Sequence, residues 1–284
     1  MKKLHKHLYV HTTRTGINIG AVIGDDGAVC IDLPGTPEET RAWKAMISEL
    51  TDKPVRAVML TSFDRLRAEC ADAMNVPVVM HDAVFAKLYA PAELPALPQG
   101  YELIPPPTRP HPSVQELTFS ESTTFVLGDH KHPIYVDATY GGGHSPGASF
   151  FTVRDSGILF VGEHVAVGQP PSIAHGNFAR WTEVLNGLKR NRRVTTIIPG
   201  RGAWGDTSIV GETLDYINKT APSKVKAMIR SKRSRNEVGS LINDVLKLYK
   251  LNERTAAKHG IALENVMQQI RSGLERVYDD LIMR

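Results

Sequence analysis

The segment VRAVMLT, residues 55–61, is the strongest constraint on the fold. It is a short, unbroken apolar run, and such a run predicts a strand buried on both faces. A strand of that kind needs a covering layer on each side. INIGAVI and AVCIDL come before it, separated by the hairpin signal GDDG. TPEETRAWKAMISEL follows, with Thr36 as N-cap and Pro37 at the first helical position. Residues 66–74 read as a second helix, VPVVM as another buried strand and HDAVFAKLYA as a third helix. This first part therefore alternates strands and helices, an α/β pattern in which helices cover a sheet.

Residues 91–112 are rich in proline and read as a surface connection. Beyond them, ELTF, TTFVL, PIYVDA, ASFFTV and GILFV are strand-like, with turns at GDHKHP and RDSG. FARWTEVLNGLKR predicts a helix and VTTIIP a last strand running into PGRG. From about residue 207 the pattern is helical throughout. The domain organisation expected is a sandwich over 1–206 and an all-helical extension over 207–284.

No apolar run is long enough to span a bilayer, which argues against a membrane protein. The N-terminus is basic but lacks the apolar core of a signal peptide, so a cytoplasmic location is expected. Cys30 and Cys70 form no disulfide framework, and Cys30 falls inside a predicted strand. His5, His7 and His11 read as part of a solvated terminus. The formal net charge is +4 and is unevenly spread. Residues 215–284 hold 14 Lys/Arg and 8 Asp/Glu, so +6, and the rest sums to −2. A basic tail of that kind suits either a solvated helix face or nucleic acid, and the solvated face is the expectation. Within the tail, Val266, Ile270, Leu274, Val277 and Leu281 form an apolar stripe at helical spacing. That stripe must pack on the sandwich or on a second copy of the chain.

Three further segments close on loops at predicted strand ends: GGGHSPGAS (141–149), LFVGEHV (159–165) and IIPGRG (197–202). Together with 55–61, in this order and at this spacing, they make residues 10–206 resemble the metallo-β-lactamase superfamily. The resemblance implies an αβ/βα sandwich with its site at one edge, where these loops converge. Members of that family usually hold two metal ions, most often zinc, which activate a bridging water for hydrolysis. The ligands come from T-H-x-H-x-D-H, G-H-[ST]-P-G, G-D and P-G-H-G loops.

This sequence departs from that pattern. In TSFDRLR, Ser62 and Asp64 stand at the first two His positions, and Leu66 and Arg67 at the next Asp and His. His144 survives, Glu163 replaces the bridging Asp, and Arg201 replaces the last His. Leucine has no lone pair and arginine stays protonated, so the second metal site is lost. The expectation is a degenerate member, no dinuclear zinc hydrolase, needing no cofactor. In it an Arg–carboxylate cluster of Asp64, Glu163, Arg67 and Arg201 replaces the metals. Arginines at a cleft also suit an anionic small molecule, with Arg67, Arg201, Ser62 and His175 as candidate contacts and the glycine-rich loop as a source of N–H groups. Two alternatives stay open. One is a hydrolase using a single Zn, Mn or Fe ion at Asp64, His144 and Glu163, with His144 and Asp64 as the candidate catalytic residues. The other is a nucleic-acid-associated protein working through its tail. A homodimer through the C-terminal helices would fit any of these. Asp32, closing AVCID, is expected to brace the loops.

Overall fold

The computed structural model describes residues 1–89, 116–258 and 260–283. The proline-rich connection therefore lies outside the described residues. The first sheet takes its strands in chain order: β1 (Lys2–Lys3), β2 (Leu8–Thr12), β3 (Asn18–Gly24), β4 (Gly27–Ile31), β5 (Val55–Met59), β6 (Val78–His81) and β7 (Glu116–Phe119). β1 to β4 pair antiparallel, and β4 to β7 pair parallel. The second sheet holds β8 (Ser122–Leu127), β9 (Ile134–Tyr140), β10 (Ser149–Val153), β11 (Ile158–Ala166) and β12 (Thr196–Arg201). Its pairs are antiparallel except β11–β12, which is parallel.

The sheets pack face to face. Val10, Val22, Val29 and Met59 of the first meet Val136, Phe151 and Phe160 of the second in one buried cluster. The outer face of the first sheet carries α1 (Pro37–Ser48), α2 (Arg65–Met74) and α3 (Asp82–Tyr89). Trp43 and Ile47 of α1, Met74 of α2 and Val84 of α3 cluster there with Ile19, Cys30 and Val58. α1 begins as its sequence predicts, with Thr36 accepting from the Glu39 N–H and Pro37 at the first position. The second sheet carries α4 (Phe178–Arg190), capped by Asn177 and buried through Trp181, Leu185 and Leu188. The layers are thus helix, sheet, sheet, helix, as expected.

The N-terminus corrects the solvated reading. Leu8 and Val10 are fully buried in β2, the His11 ring stacks on Trp43 at 5.8 Å, and His7 Nδ1 lies 3.1 Å from the Ile23 carbonyl oxygen. LYVHT alternates apolar and polar residues as a half-buried strand does, and its histidines mask that alternation.

The C-terminal segment is helical: α5 (Val210–Asp215), α6 (Ala221–Arg230), α7 (Ile242–Leu248), α8 (Glu253–Lys258) and α9 (Leu263–Ile282). Val266, Ile270, Leu274 and Val277 lie in the same buried cluster as Trp181 and Leu185 of α4 and Val161 of β11. The apolar stripe is therefore covered within the chain. A Cβ on Gly273 would stand 2.5 Å from Ile173, so α9 rests directly on the loop that follows β11. Several tail cations are paired: Lys219 with Asp215, Arg233 with Glu237, and Arg235 with Glu275 and Asp279.

Candidate functional site

The site lies where β4, β5, β11 and β12 end. Asp32 follows β4 in a left-handed conformation, φ 56°. Its Oδ1 accepts from the Thr61 N–H at 2.9 Å and its Oδ2 from the Thr61 hydroxyl at 2.7 Å, which ties the β4 and β5 ends together. Asp64 opens α2, with its Oδ1 3.3 Å from the Arg67 N–H. Gly162 lets β11 approach: its φ is +52° and a Cβ there would stand 2.2 Å from Thr61 Oγ1. The next residue, Glu163, is thereby brought against the loop after β5.

Arg67 is at the centre of this arrangement and only 1% exposed. One terminal nitrogen donates to Glu163 Oε1 at 2.6 Å, the other lies 3.2 Å from Asp32 Oδ2, and Nε lies 3.3 Å from Asp64 Oδ2. The last two are ion-pair distances without hydrogen-bond alignment. Arg201 Nε lies 3.5 Å from the same Glu163 oxygen, and its Nη1 donates to the Thr15 carbonyl oxygen at 3.3 Å. Among the described side chains the balance is three carboxylates against two guanidiniums, not the two against two expected from Asp64, Glu163, Arg67 and Arg201.

Electrostatics agree with that geometry. Burial opposes the Arg67 charge, but Asp32, Glu163 and Asp64 outweigh it and hold the guanidinium above its ordinary pKa. Burial pushes Glu163 up, and Arg201 and Arg67 overcome it, leaving this carboxyl below its usual range. Asp32 is raised by burial, with Arg67 and Thr61 pulling it back. His144 is buried, with Nδ1 3.1 Å from Ser145 Oγ and its ring edge-on to Trp181 at 5.0 Å. Burial first, then His164, His175 and Arg67, hold it far below the usual histidine range, so it is neutral. His164 points at the glycine-rich loop, with Nε2 2.7 Å from the Gly142 carbonyl oxygen and Nδ1 2.9 Å from that of Val161. Burial lowers it to about 4 against the pull of those two carbonyls.

These residues do not fit a metal ion. The guanidinium of Arg67 occupies the space between the carboxylates, and a fixed cation there repels a second one. Among the described residues, no group of three or more His, Cys, Asp or Glu is disposed to hold an ion. The side chain of Leu66 lies outside what is described.

The expected ligand contacts separate. Arg67 is 1% exposed and faces carboxylates of Asp32, Asp64 and Glu163. Ser62 is buried. The Gly141 and Gly142 N–H groups both donate to the Ala148 carbonyl, and that of His144 donates to Gly142. Three of the N–H groups of the glycine-rich loop are thus engaged within the loop itself. His175 does reach open space. With Phe63, Lys87, Pro146, Arg276 and Asp280 it lines a cavity of about 610 Å³ between the Phe63 loop and the end of α9. Its ring meets Phe63 edge-on at 5.4 Å, Lys87 Nζ lies 5.7 Å from the Phe63 ring centre, and Arg276 Nε pairs with Asp280 at 3.0 Å. Asp32, expected to brace the loops, also meets Arg67, which was not expected, and Lys87 and Arg276 were not among the site residues expected from sequence. Asp32 had a signal, an acid closing an apolar strand; Lys87 and Arg276 sit on amphipathic helices, where a cation carries none.

Comparison with known proteins accords with this architecture. A metallo-β-lactamase from Pontibacter korlensis superposes with a TM-score of 0.57 at 23% identity, covering 77% of this chain and 98% of that one. The DIM-1 metallo-β-lactamase gives 0.59 at 17% identity, covering 77% and 96%. The VMB-1 structure gives 0.58 at 18% identity, covering 78% and 96%. No family model matches the sequence. No curated protein matches it either. The chain has the metallo-β-lactamase fold.

Proposed function

We propose that this metallo-β-lactamase-fold chain has given up dinuclear metal hydrolysis, that the Arg67 cluster stands in place of the metal centre, and that the adjoining cavity binds an anionic small molecule. The observation that carries this reading is the Arg67 guanidinium, 1% exposed and within 3.3 Å of Asp32, Asp64 and Glu163. Each of those carboxylates would have to leave a fixed cation before it could bind a free one. The anion is supported by the cavity lining, where, among the described lining residues, Lys87, Arg276 and His175 stand with one carboxylate, Asp280. A volume of this order suits a small metabolite.

The single-metal alternative at Asp64, His144 and Glu163 has less support, because Asp64 and Glu163 are both engaged by Arg67. The nucleic-acid reading is weakened by the paired tail cations. Metal content by mass spectrometry, after exposure to Zn²⁺, Mn²⁺ and Fe²⁺, tests the core of the proposal. Substoichiometric metal is expected with all three. One tightly held ion per chain, lost on Asp64→Ala or His144→Ala, would sink it. A calorimetric screen of carboxylates and phosphates against wild type and Lys87→Ala tests the ligand class. An anion whose affinity falls in the variant is expected.

A further inference from the structure

A second cavity, of about 750 Å³, shares no lining residue with the first. It opens between the β2–β3 hairpin, the loops after β11 and β12, and Tyr249, Lys250, Leu251, Thr255 and Ile261 of the C-terminal segment. We propose that it binds an uncharged flat heterocycle presenting a hydrogen-bond donor and acceptor side by side, an edge of the nucleobase type. This goes beyond the anion site and does not depend on it.

Gln169 carries the argument. It lines the cavity and is only 5% exposed, yet its carboxamide has no hydrogen-bond partner among the described residues. Its polar atoms are not sealed in the core either, so they face the cavity space. A ligand that displaces water from that amide must replace its hydrogen bonds, and the group that does so best offers a complementary donor and acceptor in one plane. Tyr249 lines the same space and its hydroxyl also lacks a partner among the described residues. Burial, followed by the Tyr216 ring, keeps that phenol protonated and able to donate.

The walls point to a flat, neutral body. Gly16, Gly168 and Gly202 present bare backbone, against which a ring can lie closely. Trp204 and Tyr249 bring aromatic rings to the lining. Among the described lining residues there is no carboxylate, and Lys250 is the one cation. That lining gives a cationic ligand no partner and a dianion too little compensation.

The test is saturation-transfer NMR and titration calorimetry with adenine and uracil, using toluene as a ring without the polar edge. At least one base is expected to bind at submillimolar concentration, and toluene more weakly. Gln169→Leu, which removes an unpaired amide, is expected to keep or raise the melting temperature and to weaken base binding by about tenfold or more. Tyr249→Phe is expected to weaken it by a smaller factor. No saturation transfer from either base at millimolar concentration overturns the proposal. So does binding that Gln169→Leu leaves unchanged. Binding weakened by Lys87→Ala and not by Gln169→Leu overturns it too, by placing the bases in the other cavity.

Discussion

Arg67, itself almost out of reach of water, holds three carboxylates, and its removal has an expected cost. Arg67→Met would leave Asp32, Asp64 and Glu163 facing one another around a neutral side chain. Breaking a buried ion pair from one side costs about 3–5 kcal/mol, and urea denaturation of the variant is expected to show a loss of that order. Adding Glu163→Gln should recover part of it, because one uncompensated charge is then removed. Loss below about 0.5 kcal/mol for Arg67→Met would mean that the carboxylates find other partners. His164 sets the acid side of stability. Its folded pKa of about 4 lies below the unfolded value of about 6.5. Its contribution is thus complete above pH 6.5 and is lost as pH falls towards 4, about 3 kcal/mol in all. His144 and Glu163 are also lowered and act with the same sign, Glu163 at lower pH. Denaturation midpoints measured from pH 7.5 to 4.5 should fall, and less steeply in His164→Gln. Most of this chemistry is legible in TSFDRLR, LFVGEHV and PGRG read against the family pattern. The share of Asp32 in it is not, because its meeting with Arg67 depends on the parallel register of β4 with β5, which places Ile31 opposite Met59.

At the scale of elements, β5 and α2 work as one unit: the strand delivers Thr61 to Asp32, and the first turn of the helix delivers Arg67 to the same carboxylate. α9 has the opposite duty and closes a core that begins on the other side of the second sheet. Leu274 is fully buried in it. Leu274→Ala should cost about 2–5 kcal/mol in urea denaturation, since a buried leucine leaves a cavity that closes only in part. Period-two and period-3.6 patterning makes α1, α4 and β12 readable in advance. β2 escapes because its outward positions are Tyr9 and His11, which read as polar tail until Trp43 is seen beneath the His11 ring.

At the scale of the molecule, the helical segment is less an appendage than the layer that completes the second sheet's cover. Trp181, Leu185, Leu274 and Val277 share one cluster, so cutting the chain at 206 would expose the apolar face of α4. The fragment 1–206 is expected to aggregate or to lose cooperative unfolding, as judged by light scattering and calorimetry. A soluble, cooperatively folded fragment would show that the sandwich stands without its cover. The helical nature of that segment is visible in its sequence; its destination is not, since an amphipathic stripe has the same period whatever it packs against. The guanidinium at the site has a last consequence for the whole chain. A bound ion stabilises a fold in proportion to the logarithm of its free concentration, so a protein built around one is hostage to supply, competitors and chelators. Arg67 arrives with translation, in fixed ratio to the chain, and no change of medium can titrate it away. The fold's dependence on its central cation is thus written in the gene and removed from the reach of mass action.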